Sequence, residues 1–163
     1  DKDYPDLPTL IENMFETMHQ ADGVGLAAPQ VGLNIRLFVI DLSPLAENEP
    51  LYEDYKRIMI NPKIIEYSGE DVVLSEGCLS VPGIQENVCR KDTIRIQYLD
   101  ENFISHDEIY TGFPARVIQH EYDHLERKLF TDHVSGIRKQ LIRGKLSKIA
   151  AGKIVAKYKT RNK

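Results

Sequence analysis

The segment Gln119-His120-Glu121-Tyr122-Asp123-His124 constrains the fold more than any other part of the chain. Two imidazoles at i and i+4 share one face of a helix and can reach a single metal ion. The segment is therefore read as helical, with Glu121 beside the pair as a base. Phe113 and Val117 lie on the same stripe, at i−7 and i−3 from His120. The metal face is thus also apolar, as a pocket wall is. The bland alternative is two histidines on an ordinary helix surface, and the intervening glutamate argues against it.

The surrounding pattern sets the fold class. Leu7, Leu10, Ile11, Met14, Phe15 and Met18 recur at helical spacing, so a helix is expected from about Pro5 to Gln20. A glycine-rich loop, residues 22–30, follows, and then a branched run, Ile35 to Leu42, that reads as a strand. Ser43 to Lys56 is polar and acidic and reads as a surface loop. Further strands are expected at Arg57–Tyr67, Val72–Leu74, Thr93–Leu99 and Phe103–Tyr110. Helical period returns from about Phe113 to Glu126 and again after Val134. Strands in the middle with helices at both ends imply an α+β fold: mostly antiparallel sheet around the His-Glu-x-x-His helix, closed by a C-terminal helix. Residues 1–163 are read as one domain.

Composition bounds the function. With 42% hydrophobic and 28% charged residues the chain suits a globular domain rather than a disordered one. No apolar run approaches the ~18 residues of a membrane-spanning helix. Acidic Asp1, Asp3 and Asp6 argue against a secretory signal, and the absence of an initiator Met suggests trimming. Residues 134–163 hold ten Lys or Arg and no Asp or Glu, and the rest is strongly acidic. A basic tail of this kind either meets an anionic partner or is a solvated helix face. Ile137, Leu141 and Ile149 fall on one face of it. Cys78 and Cys89 are too few for a disulfide framework and are read as reduced thiols of a cytosolic protein.

A catalytic site of zinc type needs three protein ligands and an open position. No Glu follows Glu126, position 130 is Phe130, and Asp132 and His133 would need a sharp fold-back. The third ligand is therefore sought upstream, among His19, His106, Cys78 and Cys89. Cys78 sits in a glycine-containing turn, Glu76-Gly-Cys-Leu-Ser80, where backbone can approach a ligand closely. Its thiolate would be a strong ligand, and the default for either cysteine is a small buried hydrophobe. That default is preferred for Cys89.

Three segments together resemble one family. Gly23-Val-Gly-Leu-Ala-Ala-Pro-Gln30, Glu76-Gly-Cys-Leu-Ser80 and Gln119-His-Glu-Tyr-Asp-His-Leu125 are similar, in order and spacing, to the signature motifs of peptide deformylases. The resemblance implies a metal-dependent hydrolase that removes the N-formyl group from the initiator Met of nascent proteins, releasing formate. It implies Cys78, His120 and His124 as ligands of one divalent metal, natively Fe2+, replaceable by Zn2+, Ni2+ or Co2+. Glu121 would shuttle the proton, and the Gln30 side chain and Leu79 N–H would hold the oxyanion. Val24, Gly25 and Gly77 would contact the peptide, and Val24, Leu74 and Val117 would line the Met pocket. Arg90 would pair with Glu76 to stiffen the Cys78 turn, and Asp123 would orient a ligand or join that network, the bland alternative for both being a solvent-exposed charge. The expected partners are a formyl-Met peptide or nascent chain and, through the basic C-terminal helix, the ribosome. No membrane or DNA partner is expected, and the location implied is the bacterial cytoplasm.

The chain departs from the family in two places. Arg127 stands where members of the family it resembles usually have Gly, and the start lies close to the first helix, without the usual upstream segment. Two other functions fit the residues less well. A zinc endopeptidase would cleave internal peptide bonds, and a binding module would close its metal with a fourth ligand.

Overall fold

The computed structural model describes residues 2–78 and 81–127, with no account of the side chains of Cys78 and residues 81–84. A sheet of five antiparallel strands, β1 (Gly25–Ala27), β2 (Leu37–Asp41), β3 (Lys56–Cys78), β4 (Val81–Leu99) and β5 (Ser105–Thr111), runs in the order β1-β2-β3-β4-β5. Helix α1 (Leu7–Gln20) precedes the sheet and α2 (Gly112–Leu125) follows it. The α+β arrangement is therefore present. The expected helix after Val134 and the tail function assigned to it lie outside the described residues.

Each helix takes one face of the sheet. α1 begins with Pro8 in its first turn, where a missing N–H costs nothing. It buries Leu7, Ile11, Met14 and Met18 against Leu26, Leu37, Val39 and Ile60. On the other face Ala115, Val117 and Ile118 of α2 pack with Phe38, Ile40, Met59, Ile94 and Ile96. Strand β2 supplies both layers, since successive side chains point to opposite faces. All five of its residues are buried, Asp41 among them, which is why Leu37 to Ile40 is apolar on both faces.

Three expectations change. Residues 22–30 are not wholly loop: Gly25–Ala27 pairs with β2, Gly25 opposite Ile40, and Ala28–Val31 forms a 3-10 turn. Three residues are too few to show a period. The loop at residues 43–56 contains two short 3-10 turns, Ser43–Leu45 and Pro50–Tyr52. Arg57–Tyr67 and Val72–Leu74 belong to one strand. The turn-like residues between them form an irregularity in the ladder, with Gly69 at φ 77 and the register shifting between Ser68 and Asp71.

The two long strands do different work along their lengths. Of β4 only Thr93–Leu99 pairs with β5, and of β3 only Lys56–Ile60 pairs with β2. Beyond them Asp71–Cys78 and Val81–Lys91 pair with each other alone. This two-stranded ribbon carries Glu76, Cys78 and Arg90. Val73 and Leu74 on it are exposed, and Val88 is its one buried apolar residue among those described. A two-stranded hairpin has little stability of its own, so something else must hold this one in place.

Candidate metal centre and active site

α2 presents two adjacent polar stripes. Arg116, His120 and Asp123 fall at i, i+4 and i+7 and face the ribbon, with Gln119 beside them. Val117, Glu121 and His124 have the same spacing one position on. Every one of these is buried except His120, which is nearly so.

The first stripe converges on Glu76. Arg90 donates through Nε to Oε2 at 2.8 Å and through Nη2 to Oε1 at 3.0 Å. Arg116 Nη1 donates to Oε2 at 2.6 Å, and His120 Nδ1 lies 2.8 Å from Oε1. Each oxygen thus takes two hydrogen bonds, about the full capacity of a carboxylate. Burial alone would raise the Glu76 pKa. The bonds from His120 and Arg90, the Arg90 charge and the Arg116 bond outweigh it and hold the group at about 2. An ionised carboxylate only accepts, so His120 Nδ1 is the donor and, in the neutral ring, Nε2 carries the lone pair. Arg90 Nη1 also donates to Asp123 at 2.8 Å, closing the network with two guanidiniums against two carboxylates.

The second stripe carries the remaining chemistry. The His124 ring stands 5.2 Å from that of His120, centroid to centroid, at 72°. Burial, with the neighbouring His120 adding to it, pushes the His124 pKa down to about 4, so the ring is neutral at pH 7. Glu121 is 5% exposed, and its Oε2 has no hydrogen-bond partner among the described residues. Burial pushes its pKa up to about 7, although His120 pulls the other way. A neutral His124 ring and a His120 ring engaged through Nδ1 by Glu76, beside an orphaned buried carboxylate oxygen, fit a divalent cation with a water next to it. Among the described residues no three His, Cys, Asp or Glu side chains converge as a complete ligand set.

The other candidate ligands are engaged elsewhere. His19 Nε2 pairs with Asp41 at 2.7 Å, and His106 Nε2 pairs with Asp100 at 2.7 Å. Cys89 is exposed, contrary to the expectation of a buried hydrophobe. It sits between buried Val88 and Arg90, and strand alternation puts it on the opposite face. β3 ends at Cys78, whose backbone pairs with Val81. Leu79 lies outside the described residues. Gly77 is exposed and pairs with Gln85.

Strand β1 forms the opposite wall. A Cβ on Gly25 would lie 2.7 Å from Glu121 Oε1 and 2.9 Å from its Cγ, so only glycine lets the strand approach the carboxylate this closely. The Val24 carbonyl already accepts from Asp41 N at 3.0 Å. By ladder alternation the N–H and C=O of Gly25, rather than those of Val24, then face the open edge. Val24 packs partly buried on the α2-side core, Val117 is buried in it, and Leu74 is exposed on the ribbon. The Gln30 Oε1 accepts from Ala27 N at 2.8 Å, which assigns the NH2 to the other end of the amide. Phe113 stands at the rim, 6.5 Å from Tyr52 between ring centroids.

Arg116 went unread in the sequence. Its signal was positional, four residues before His120 and seven before Asp123, and it was hidden because arginine on a helix is ordinarily solvent-facing.

Residues 2–140 match the family model described as polypeptide deformylase. The chain belongs to the peptide deformylase family. It is 54% identical to the peptide deformylase of Christiangramia forsetii over 99% of this chain and 86% of that protein. With the peptide deformylase of Flavobacterium johnsoniae the identity is 50%, over 96% of this chain and 84% of the other. Among solved structures, a Plasmodium falciparum peptide deformylase superposes with a TM-score of 0.81 at 36% identity, covering 93% of this chain and 86% of that one. The Synechococcus elongatus peptide deformylase in complex with actinonin gives 0.75 at 40% identity, covering 94% and 77%. The chain is thus a metal-dependent hydrolase that removes the N-formyl group from nascent proteins. No helix among the described residues is long and apolar enough to cross a membrane.

Proposed function

We propose that Cys78, His120 and His124 hold one divalent cation, natively Fe2+ and replaceable by Zn2+, Ni2+ or Co2+. Such a cation supplies Lewis acidity, which makes a nucleophile available from water near neutral pH. The observation that carries the reading is the buried, unpartnered Oε2 of Glu121 beside two imidazoles kept neutral or tautomerically set by their surroundings.

The reaction adds water to the formyl carbon and breaks the bond to the amino nitrogen, giving formate and a free amino terminus. Glu121 takes a proton from the attacking water and delivers it to the departing nitrogen. A carboxyl titrating near 7 suits both transfers. The Gln30 amide and the Leu79 N–H donate to the oxygen that gains charge. A formyl-Met peptide, or the start of a nascent chain, adds along the open edge at Gly25 and against Gly77, with its Met side chain toward Val24, Leu74 and Val117. Such chains arise at the bacterial ribosome, so the cytoplasm is the place of action. The basic segment 134–163, part of the same domain, is suited to ribosomal RNA.

The test is formate release from a formyl-Met peptide by protein prepared without oxygen, with metal analysis of the same sample. Stoichiometric metal with no formate released refutes the assignment. Binding to ribosomes that persists without residues 145–163, or ignores salt, removes the tail from it.

A further inference from the structure

Arg116 makes three hydrogen bonds that reach both strands of the ribbon. Its Nη1 donates to Glu76 Oε2 at 2.6 Å and to the Val88 carbonyl at 2.9 Å, and its Nη2 donates to the Val72 carbonyl. Val72 and Val88 lie on the two different strands of the ribbon. On α2 itself Arg116 precedes His120 by one turn. One guanidinium therefore ties α2 to both strands of the ribbon and, through Glu76, to the ring nitrogen of His120. Gln119 adds one parallel tie, Nε2 to the Lys91 carbonyl at 2.8 Å.

The geometry points to Arg116 as a positioning residue of the metal centre: it holds the ribbon that ends at Cys78 at a set distance from the helix bearing His120 and His124, and keeps Glu76 aimed at His120. Arg90 cannot replace it. Arg90 starts on the ribbon and bonds only side chains, those of Glu76 and Asp123, whereas Arg116 starts on α2 and bonds the backbone of both ribbon strands. A planar fork can serve a carboxylate and two carbonyls at once, but an ammonium on a flexible stem cannot hold that geometry. Groups that orient a ligand in this way typically change metal affinity or activity 10- to 100-fold when removed. The role rests on the ligand set proposed above.

The test uses the full chain loaded with cobalt(II). Release of cobalt to a chelator is followed by its visible absorption, alongside kcat and KM for a formyl-Met peptide. Arg116→Met should release cobalt roughly 10- to 100-fold faster and lower kcat with KM nearly unchanged, and Arg116→Lys should fall between it and the parent. Met18→Ala in the α1 layer is the control for general loosening and should leave cobalt release unchanged. Parent-like release and kcat in Arg116→Met overturn the role. If that variant does not fold, parent-like behaviour of Arg116→Lys does the same, as does equal acceleration in Met18→Ala. Cys78→Ser separates the two proposals. Unchanged cobalt retention there overturns the ligand set and this role with it. Lost retention there, with parent-like Arg116 variants, overturns the role alone.

Discussion

α1 and α2 are both fourteen residues long and cover opposite faces of one sheet, yet they attach to it differently. α1 buries four apolar side chains and no charge. α2 buries three apolar side chains together with Arg116, Gln119, Glu121, Asp123 and His124. The first interface draws its energy from apolar area removed from water, which is tolerant of small shifts. The second balances desolvation of charges against directional bonds, and yields little net stability for its cost. What it provides is position: Glu76 has its four donors only if α2 and the ribbon sit in one arrangement. The α1 layer keeps the protein folded, and the α2 layer keeps a reactive site in register.

Several changes would break or sharpen that contrast. Glu121→Gln should lower formate release about 100- to 10,000-fold while the urea midpoint holds or rises, because an unpartnered buried carboxyl contributes nothing to folding. A midpoint that falls as steeply as the rate would blur the division. Met18→Ala should do the reverse. It should cost about 2–5 kcal/mol by urea unfolding, with kcat per folded molecule unchanged.

Glu76 makes a prediction about acid. Its folded pKa of about 2 lies below the ordinary 4.5, so it stabilises the fold above pH 4.5. That contribution, roughly 3 kcal/mol from the size of the shift, fades as pH falls toward 2. Unfolding of metal-stripped Glu76→Gln and parent should therefore differ most near pH 6 and converge toward pH 2. A gap independent of pH would mean that Glu76 is not ionised in the folded protein.

Gly25→Ala should lower the rate about 100-fold by displacing Glu121, with little change in KM. Its backbone has no positive φ to strain, so the urea midpoint reads whether Glu121 can yield. The smallest effect is expected at the end of α2. Arg127 lies at φ 59, in the left-handed region that favours glycine. Arg127→Gly should stabilise the protein by about 1 kcal/mol, and no gain in midpoint would show the position is unstrained.

The amino-acid sequence by itself determined the parts that depend on local periodicity. α1 shows in Leu7, Ile11, Met14 and Met18, β2 in its run rich in branched residues, and the histidine pair in its spacing of four. Each signal is carried by neighbours in the chain, so one segment suffices to read it. Tertiary structure alone decided the rest. Gly25 became the edge beside Glu121, two expected strands merged across Gly69, Cys89 turned outward, and Arg116 turned in to join residues 28, 40 and 44 positions away. Those outcomes depend on what lies across from a residue in space. A buried arginine is stable only where partners from distant strands replace its water, and its spacing from His120 and Asp123 marks the face it lies on without naming those partners.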